Sequence, residues 1–199
     1  MGKPIPGITA AIIDSQTNEV PRTTIGRLAI KTPWPGLMKA VWKNQQKFDS
    51  YFENGWYISG DMAYQDQEGY FWFQGREDDM IKSAAERISP FEVESALVSH
   101  PKIAEAGVIG KPHDLYGSII KAFIIVKPGV ATEDSLKTEI MQHVRDTLAV
   151  HEVPREIEFV KTLPKTRSGK IMRRVLRARE MGQESGDLST LDTEMNAED

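Results

Sequence analysis

Cysteine is absent from the 199-residue chain, which excludes disulfide bonds and metal sites built on thiolates. A chain without cysteine suits a reducing compartment, so we expect a cytoplasmic protein. Long apolar runs are missing too, and none approaches the roughly 20 residues that cross a bilayer. The first residues also lack the apolar core of a secretion signal. We therefore expect no membrane association.

Clusters of histidine and carboxylate residues with metal-ligand spacing are also lacking. The four histidines are scattered, and we interpret them as surface residues at helix ends or in loops: His100, His113, His143 and His151. The spacing supports no set of serine, histidine and aspartate, and nothing is typical of a general base. The sequence therefore predicts no metal site of its own and no hydrolytic triad.

The net charge of −4 argues against general nucleic-acid binding, but the charge is unevenly distributed. Acidic residues collect near the end of the chain: Glu184, Asp187, Asp192, Glu194, Glu198 and Asp199. A basic block precedes them and contains Arg173, Arg174, Arg177 and Arg179. A nucleic-acid binder that uses these arginines is a weak alternative, because aromatic residues do not alternate with them. The block still offers local positive potential to a small anion.

The first third of the chain is typical of β structure. Short β-prone runs lie at Ile8–Ile13, Ile25–Ile30, Gly55–Ser59 and Gly69–Phe73. Turn residues separate the first two runs, and Asp66–Gly69 leads into the last, which predicts a hairpin.

Between these pairs of strands, Leu37–Phe52 has helical patches. We expect Trp42, Phe48 and Phe52 to be core residues there. The consecutive charges in Gly75–Asp79 would be expensive to bury, so this segment predicts a domain boundary.

The boundary divides a β-rich part, residues 1–77, from a mixed part, residues 78–181. A polar, acidic tail over residues 182–199 follows, and we expect it to be frayed. In the mixed part, Ser89 and Pro90 open a helix that ends near His100, with Val93, Leu97 and Val98 on its inner face. The other predicted elements are strands at Ile103–Ile109, Ile119–Val126 and Glu156–Val160 and a helix at Thr132–Ala149. The pattern predicts an α+β fold.

The stretch Leu163–Arg177 is the one that most suggests chemistry. Gly169 permits a close approach to a ligand, and Lys170 stands before an arginine-rich helix. A Walker phosphate loop is excluded, because Pro164 occupies its first glycine position and Ile171 follows the lysine. From the residues alone, a solvated surface turn and a phosphate-facing loop both remain open. The same holds for Gly60–Asp61, which fits either a turn aspartate or a carboxylate that holds two ribose hydroxyls.

Four ordered motifs resemble the adenylate-forming ligase superfamily, in particular AMP-forming acetyl-CoA synthetases and their medium-chain acyl-CoA relatives. They are GWYISGD (Gly55–Asp61), GYFWFQGREDD (Gly69–Asp79), ISPFEVE (Ile88–Glu94) and LPKTRSGKIMRR (Leu163–Arg174). The resemblance covers nearly the whole chain. It implies the last β-rich part of the large AMP-binding domain, followed by the small mobile C-terminal lid domain. The family's ATP phosphate loop and acyl pocket are not among these motifs, so we expect the isolated chain to be inactive.

The resemblance also implies roles for single residues. Asp61 and Arg76 would bind the ribose of ATP or acyl-AMP, and Asp78 would be the hinge of the lid. Arg87 would lie near phosphate or the thiolation site. Lys170 would reach the α-phosphate and the attacking carboxylate during adenylation.

CoA would enter along a tunnel formed in part by Lys82–Arg87. Arg145 would bind the 3′-phosphate of CoA, although a solvent-facing helix arginine explains it equally well. Here the chain departs from the family, because Ala84 and Ala85 stand where glycine is usual. We expect the methyl group of Ala85 to crowd the tunnel or to require a φ that alanine avoids.

The implied reaction converts a carboxylate and ATP to acyl-AMP and pyrophosphate, and then CoA to acyl-CoA and AMP. Acetate or another short- or medium-chain acid is the expected substrate. Mg²⁺ would accompany ATP in the parent enzyme, without a metal site in this chain. The alternative is a lid or regulatory module that acts in trans, or a substrate of a lysine acetyltransferase and deacetylase at Lys170.

Overall fold

The structure is a computed structural model that describes residues 1–192. The acidic residues Glu194, Glu198 and Asp199 of the predicted tail lie outside the described residues. The chain divides into two compact units between Asp78 and Asp79. Each unit has its own sheet and its own hydrophobic core.

The first unit is built on a five-stranded antiparallel sheet. Its strands are β1 (Ala10–Ile13), β2 (Gly26–Lys31), β3 (Phe52–Glu53), β4 (Trp56–Gln65) and β5 (Phe71–Arg76). The order is β1-β2-β4-β3, and β5 also pairs with β4. The predicted hairpin is confirmed, since β4 and β5 are antiparallel neighbours.

Alternation along the strands explains how this sheet buries both of its faces. Ile13 on β1 packs with Ala29 and Trp56, whereas its neighbour Ile12 packs with Phe71 in a separate cluster. Successive side chains of a strand point to opposite faces, so one short apolar strand contributes to two clusters.

Helix covers only a small part of Leu37–Phe52, the stretch in which we predicted helical patches. Only α1 (Gln45–Asp49) is helical, and Trp42 is 86% exposed rather than in the core. Lys43 has a φ of +51°, in the left-handed region, which prevents a helix from continuing through it. Asn44 then caps α1 by accepting a hydrogen bond from the amide of Lys47 at 2.9 Å.

The second unit packs helices on both faces of a three-stranded sheet, which confirms the α+β class. Its strands are β6 (Ile81–Ser83), β7 (Glu86–Ile88), β8 (Ile103–His113), β9 (Gly117–Val126) and β10 (Glu156–Phe159). Its helices are α2 (Pro90–Val98), α3 (Asp134–Thr147) and α4 (Arg173–Glu180). In the sheet, β9 lies between antiparallel β8 and parallel β10, while β6 and β7 form a separate hairpin.

The central strand β9 is apolar at most of its positions because helices cover both of its faces. Ile120 and Ile124 pack in one cluster with residues of α2 and α3, and Phe123 packs in another with Leu176 of α4. A β carbon at Gly107 would lie 2.9 Å from a methyl carbon of Leu176. Glycine at this position therefore lets α4 pack closely against the sheet.

Helix α2 begins as predicted but presents a narrower apolar face. The Ser89 hydroxyl accepts a hydrogen bond from the amide of Glu92 at 3.3 Å, and Val93 and Leu97 are buried. The prediction that Val98 lies on the inner face is wrong, because its side chain is 46% exposed. Val98 follows Leu97 directly, so the helix turns it about 100° away from the core.

His100 is buried, so its interpretation as a surface residue is wrong. Its Nε2 atom lies 3.3 Å from the Glu139 carboxylate on α3, and its Nδ1 atom accepts a hydrogen bond from the amide of Lys102. Burial and the nearby His143 lower the pKa of His100. The imidazole of His100 therefore links the end of α2 to the Glu139 carboxylate of α3.

Candidate functional site

The register of β4 and β5 places Asp61 directly opposite Arg76. Residues opposite each other in an antiparallel pair project from the same face of the sheet. One guanidinium nitrogen of Arg76 donates hydrogen bonds to the Asp61 carboxylate and to the Ser59 carbonyl, each at 3.0 Å. Two of the residues assigned to ribose binding are therefore in direct contact.

Gly60 makes this arrangement possible. Its φ is +77°, and a β carbon there would lie 2.6 Å from a guanidinium nitrogen of Arg76. The Arg76 guanidinium thus lies against the backbone of Gly60, in space that any side chain at position 60 would occupy. The amide of Asp61 also donates to the Ser59 hydroxyl at 3.1 Å, which further fixes the turn of the strand.

Asp78 joins the same group of charges. Its carboxylate lies 3.4 Å from Nε of Arg76, and its side chain is 77% exposed. Partial burial opposes ionisation of Arg76, but the hydrogen bond to Asp61 and the charge of Asp78 raise the pKa of Arg76 above its usual value. One permanent cation is therefore held between two acidic side chains.

An open cavity of about 330 Å³ adjoins these residues. Arg76 and Asp78 line it together with Lys47, Ser50 and Tyr51. The last three belong to α1 and the residues that follow it, and no sequence motif indicates them. The cavity combines cationic, anionic and aromatic groups, which suits a polar ligand with a flat ring.

Lys170 is exposed at the end of a tight turn that Thr166 closes. The Thr166 amide donates to the Lys170 carbonyl at 2.9 Å, and the Thr166 hydroxyl accepts from the Lys170 amide at 3.1 Å. Gly169 has a φ of +80°, and a β carbon there would meet open space. The need for glycine is therefore conformational, and the turn projects away from the rest of its unit.

The Lys170 ammonium has no ion pair with any residue in the range 1–192. By contrast, Lys165 at the base of the turn lies 2.5 Å from the Glu105 carboxylate. The two lysines therefore differ: Lys165 is paired with a carboxylate on β8, and Lys170 is exposed to solvent.

The arginine block on α4 is not a free basic surface. Arg173 donates to Glu94 and Asp79, and Arg177 lies 3.4 Å from Asp79. Arg174 donates to backbone carbonyls further along the chain. These contacts neutralise or occupy most of the positive groups on which nucleic-acid binding would depend.

Arg87 is exposed on β7, beyond the turn that joins β6 to β7. Ala84 and Ala85 form this turn, and Ala84 has a φ of +53°. The prediction that Ala85 needs a disfavoured φ is therefore wrong, because the left-handed residue is its neighbour. The amide of Ala84 donates to the Tyr116 carbonyl at 2.8 Å, which holds the turn in place.

Arg145 lies exposed in the last turn of α3. It lines an open cavity of about 340 Å³ together with Val150, Val153 and Arg155. The Arg155 guanidinium stacks over the Tyr116 ring at 4.2 Å. Two arginines beside apolar walls can hold an anionic group that carries an aromatic ring.

Residues 1–192 contain no group of three or more histidine, aspartate or glutamate side chains arranged to hold a metal ion. In the same range no helix has the length and apolar character needed to cross a membrane.

Glu94 was not predicted to form a buried ion pair, although the sequence carried a signal for one. It follows Val93 directly and lies three residues before Leu97, so an acidic side chain falls within the apolar stripe of α2. A charge in such a position needs a buried partner. The partner, Arg173, lies 79 residues later, and no local pattern indicates it.

Comparison with known protein families gives one match in the second unit. Residues 92–170 match the AMP-binding enzyme C-terminal domain. The matched segment runs from the first turn of α2 to Lys170.

Individual relatives match nearly the whole chain. An acetyl-coenzyme A synthetase from Bacillus subtilis is 60% identical over 193 residues, which are 96% of this chain and 34% of the relative. The acetyl-coenzyme A synthetase of Methanothrix thermoacetophila is 46% identical and covers 94% of this chain, which spans 30% of that relative. Among solved structures, the anthranilate CoA ligase AuaEII in complex with anthranoyl-AMP matches with a TM-score of 0.81 and 36% identity. The match covers 92% of this chain and 34% of that ligase. This chain therefore spans about a third of the proteins that it resembles.

Proposed function

The chain belongs to the AMP-binding, adenylate-forming ligases, and we propose that it supplies the C-terminal part of an acetate or other short- or medium-chain acyl-CoA ligase. In the first step a carboxylate oxygen attacks the α-phosphorus of ATP, and the bond to pyrophosphate breaks. In the second step the sulfur of CoA attacks the acyl carbonyl carbon and AMP leaves, while the thiol proton passes to solvent. The 60% identity to an acetyl-coenzyme A synthetase supports acetate as the acid.

Lys170 acts in the first step. An anionic carboxylate must approach a polyanionic phosphate chain, and an ammonium placed between them reduces their repulsion. The observation that carries this proposal is an exposed lysine at the end of an ordered turn, without an ion pair among residues 1–192. A lysine already paired with a carboxylate would have to break that pair first.

Asp61 and Arg76 hold the nucleotide. The Asp61 carboxylate accepts hydrogen bonds from two ribose hydroxyls, and Arg76 fixes the carboxylate and contacts the same sugar. Their contact at 3.0 Å and the adjoining open cavity support this role. The same pair explains why glycine is required at position 60.

Asp78 is the hinge about which the lid, residues 78–181, turns between the two steps. Its exposed side chain favours neither pose strongly, which suits a pivot. The next residue, Asp79, is bound by Arg173 within the second unit. The change of backbone angles is therefore confined to a short segment beside Asp78.

CoA binds at Arg87 and Arg145 once the lid has turned. Arg87 approaches the phosphate or thiolation site, Ala85 borders the pantetheine path, and Arg145 takes the 3′-phosphate. The cavity beside Arg145 and the stacked Arg155 support an anionic group joined to a ring. Mg²⁺ would accompany ATP in the parent enzyme, without a metal site in this chain.

A hybrid enzyme tests the role of Lys170. In this hybrid, the chain replaces the matching C-terminal third of the Bacillus subtilis relative. We expect Lys170→Ala to lower acetate-dependent pyrophosphate exchange about 100-fold or more, while acetyl-CoA formation from supplied acetyl-AMP stays within a few-fold. Lys161→Ala is the matched control, because Lys161 is also an exposed lysine on the path into α4. Unchanged exchange in Lys170→Ala would rule out the role.

The chain by itself is expected to be inactive. Acetate-dependent pyrophosphate exchange by the purified 199-residue chain would contradict this expectation. The hybrid serves as the positive control in the same assay.

The second candidate function is regulatory: a lid that acts in trans, or a substrate of a lysine acetyltransferase and deacetylase. Exposure of Lys170 at the end of its turn favours modification, and acetylation would remove the charge that the first step needs. Incubation with a protein lysine acetyltransferase and acetyl-CoA, followed by mass spectrometry, tests it. We expect the label on Lys170 and its loss in Lys170→Arg, whereas equal labelling of several exposed lysines would contradict a specific site.

A further inference from the structure

The described part of the C-terminal tail makes backbone hydrogen bonds to the base of the Lys170 turn. The amide of Arg167 donates to the Thr190 carbonyl at 3.2 Å, and the amide of Asp192 donates to the Lys165 carbonyl at 2.9 Å. These bonds form an antiparallel bridge between Thr166 and Leu191. We name residues 185–192 the C-terminal clasp.

The clasp places the base of the Lys170 turn in the middle of three extended segments. On one side Lys165 pairs with Ile171, which closes the turn on itself. On the other side Thr166 pairs with Leu191 of the clasp. The central segment is thus hydrogen-bonded along both edges, like an inner strand of a sheet.

Arg174 fastens the start of the clasp to α4. Its two terminal guanidinium nitrogens donate to the carbonyls of Ser185 and Asp187. Gly186 between them has a φ of +64°, and a β carbon there would lie 3.1 Å from the guanidinium. Glycine at position 186 therefore lets the backbone approach the Arg174 guanidinium closely enough for both hydrogen bonds.

Residues of the clasp also hydrogen-bond to one another. The Asp187 carboxylate accepts a hydrogen bond from the amide of Ser189 at 2.9 Å, and the Leu191 amide donates to the Leu188 carbonyl at 2.9 Å. Leu188 is exposed, and Leu191 is only half-buried. The clasp thus adds little apolar contact to its unit. Its contacts are backbone hydrogen bonds to the Lys170 turn and hydrogen bonds from Arg174 of α4.

We propose that the clasp positions the Lys170 turn for adenylation, so that residues 185–192 are needed for the first step and not for the second. The inference rests on the proposed function of Lys170. A catalytic group displaced by about 1 Å loses on the order of 100-fold in rate, so the base of this turn has to be rigid. Within residues 163–171, the backbone groups along one edge hydrogen-bond inside the turn itself. The backbone groups along the other edge hydrogen-bond to the clasp.

Two shortened chains test the structural part of the proposal without any activity. One ends at Glu184 and lacks the clasp, whereas the matched control ends at Asp192 and keeps it. Hydrogen–deuterium exchange of peptides from residues 165–171 should be at least about tenfold faster in the first chain and unchanged in the second. Exchange in α2, α3 and β9 should be unchanged in both. Equal exchange at residues 165–171 in the two chains would overturn the proposal.

A point variant provides the same test in a chain of full length. Asp192→Pro removes the amide that donates to the Lys165 carbonyl, whereas Asp192→Asn keeps the amide and a polar side chain and removes only the charge of the carboxylate. We expect faster exchange at residues 165–171 only in Asp192→Pro. The same result in both variants would assign the effect to the carboxylate and overturn the backbone role. A second set of variants tests the contact of Arg174. The exchange rate at residues 165–171 in Arg174→Lys should lie between the rates in Arg174→Gln and in the unchanged chain, because a lysine side chain can donate to one of the two carbonyls but not to both at once.

The hybrid enzyme separates this inference from the proposed function. Without the clasp, acetate-dependent pyrophosphate exchange should fall about 10- to 100-fold in kcat, while acetyl-CoA formation from acetyl-AMP stays within a few-fold. If Lys170→Ala abolishes exchange and loss of the clasp does not, only the clasp proposal fails. If Lys170→Ala leaves exchange unchanged, the proposed function fails as well. An equal loss in both half-reactions would indicate a general structural role and contradict positioning.

Discussion

Asp79 and Arg173 form an ion pair at 3.2 Å across 94 residues of sequence. Arg173 also donates to the Glu94 carboxylate, which in turn accepts a hydrogen bond from the amide of Val108 at 2.9 Å. The first residue of the second unit, the helix α2, the strand β8 and the start of α4 therefore share one cluster of charges. Burial raises the pKa of Glu94, although Arg173 opposes the effect.

Loss of Arg173 should destabilise the second unit strongly. Arg173→Met leaves the largely buried Glu94 carboxylate without its cation, and removal of one partner from such a pair costs about 3–5 kcal/mol. The double variant Glu94→Gln/Arg173→Met should be more stable than the single one, because the amide oxygen still accepts from Val108 and no charge is buried. Arg177→Met is the control, and it should cost less than about 1 kcal/mol because its pair is longer and more exposed.

Two optical probes separate the units in this measurement. All tryptophans lie in the first unit: Trp34, Trp42, Trp56 and Trp72. The longer helices α2, α3 and α4 lie in the second. Denaturant unfolding followed by helical circular dichroism should shift in Arg173→Met, while tryptophan fluorescence keeps its midpoint. A double variant no more stable than Arg173→Met would contradict the buried-charge explanation.

Gly60→Ala should impair nucleotide binding out of proportion to its effect on stability. The new methyl group displaces Arg76 from Asp61, and a positive φ costs alanine about 1–2 kcal/mol. Gly69→Ala is a matched control, since its φ is +87° and its nearest neighbour would lie 3.8 Å away. Tryptophan fluorescence should report similar destabilisation of both variants. In the hybrid, kcat/KM for ATP should fall about tenfold or more in Gly60→Ala alone, as expected for loss of one polar contact. Equal kinetic losses would show that Arg76 does not depend on Gly60.

Much of this local chemistry could be read from the sequence because it depends on neighbours in the chain. The cap at Ser89, the β4–β5 hairpin and the glycine of the Lys170 turn all follow from residues a few positions apart. The pair of Asp61 and Arg76 was also accessible, because motifs on two adjacent strands carry both residues.

Contacts between distant segments could not be predicted in this way. The binding of Glu94 by Arg173 and the pairing of Leu191 with Thr166 join residues that no periodicity connects. Acidic and small polar residues near a terminus favour a frayed tail, and they do not indicate the backbone hydrogen bonds that residues 185–192 make to the Lys170 turn. Composition does not indicate which carbonyls and amides will find partners.

Ala84→Gly should stabilise the second unit by about 1 kcal/mol. Ala84 adopts a φ of +53°, which glycine accepts without strain. Ala85→Gly is the control, and it should be neutral or destabilising by about 0.4–1 kcal/mol, since glycine adds freedom to the unfolded chain. Thermal unfolding followed by helical circular dichroism gives both values. A stabilising Ala85→Gly together with a neutral Ala84→Gly would reverse the assignment of strain within this turn.

Glu180 should make the second unit sensitive to acid. Its carboxylate lies 2.5 Å from Nζ of Lys121 and 3.0 Å from Nζ of Lys111, which ties the end of α4 to β9 and β8. Although burial opposes it, the hydrogen bonds from Lys121 and Lys111 lower the pKa of Glu180 below its ordinary 4.5. A lowered native pKa means that the contribution to stability is present above pH 4.5 and is lost as the pH falls through the native value.

Glu180→Gln should therefore be less stable than the unchanged chain at pH 7, and the difference should shrink as the pH falls below 4.5. The measurement is the free energy of unfolding from helical circular dichroism at a series of pH values. Glu86→Gln is the control, because Glu86 is exposed and has no ion pair among residues 1–192. Its curve should run parallel to that of the unchanged chain. A constant difference for Glu180→Gln from pH 7 into the acid range would mean that Glu180 acts through packing and not through its charge, since only the charge is lost on protonation.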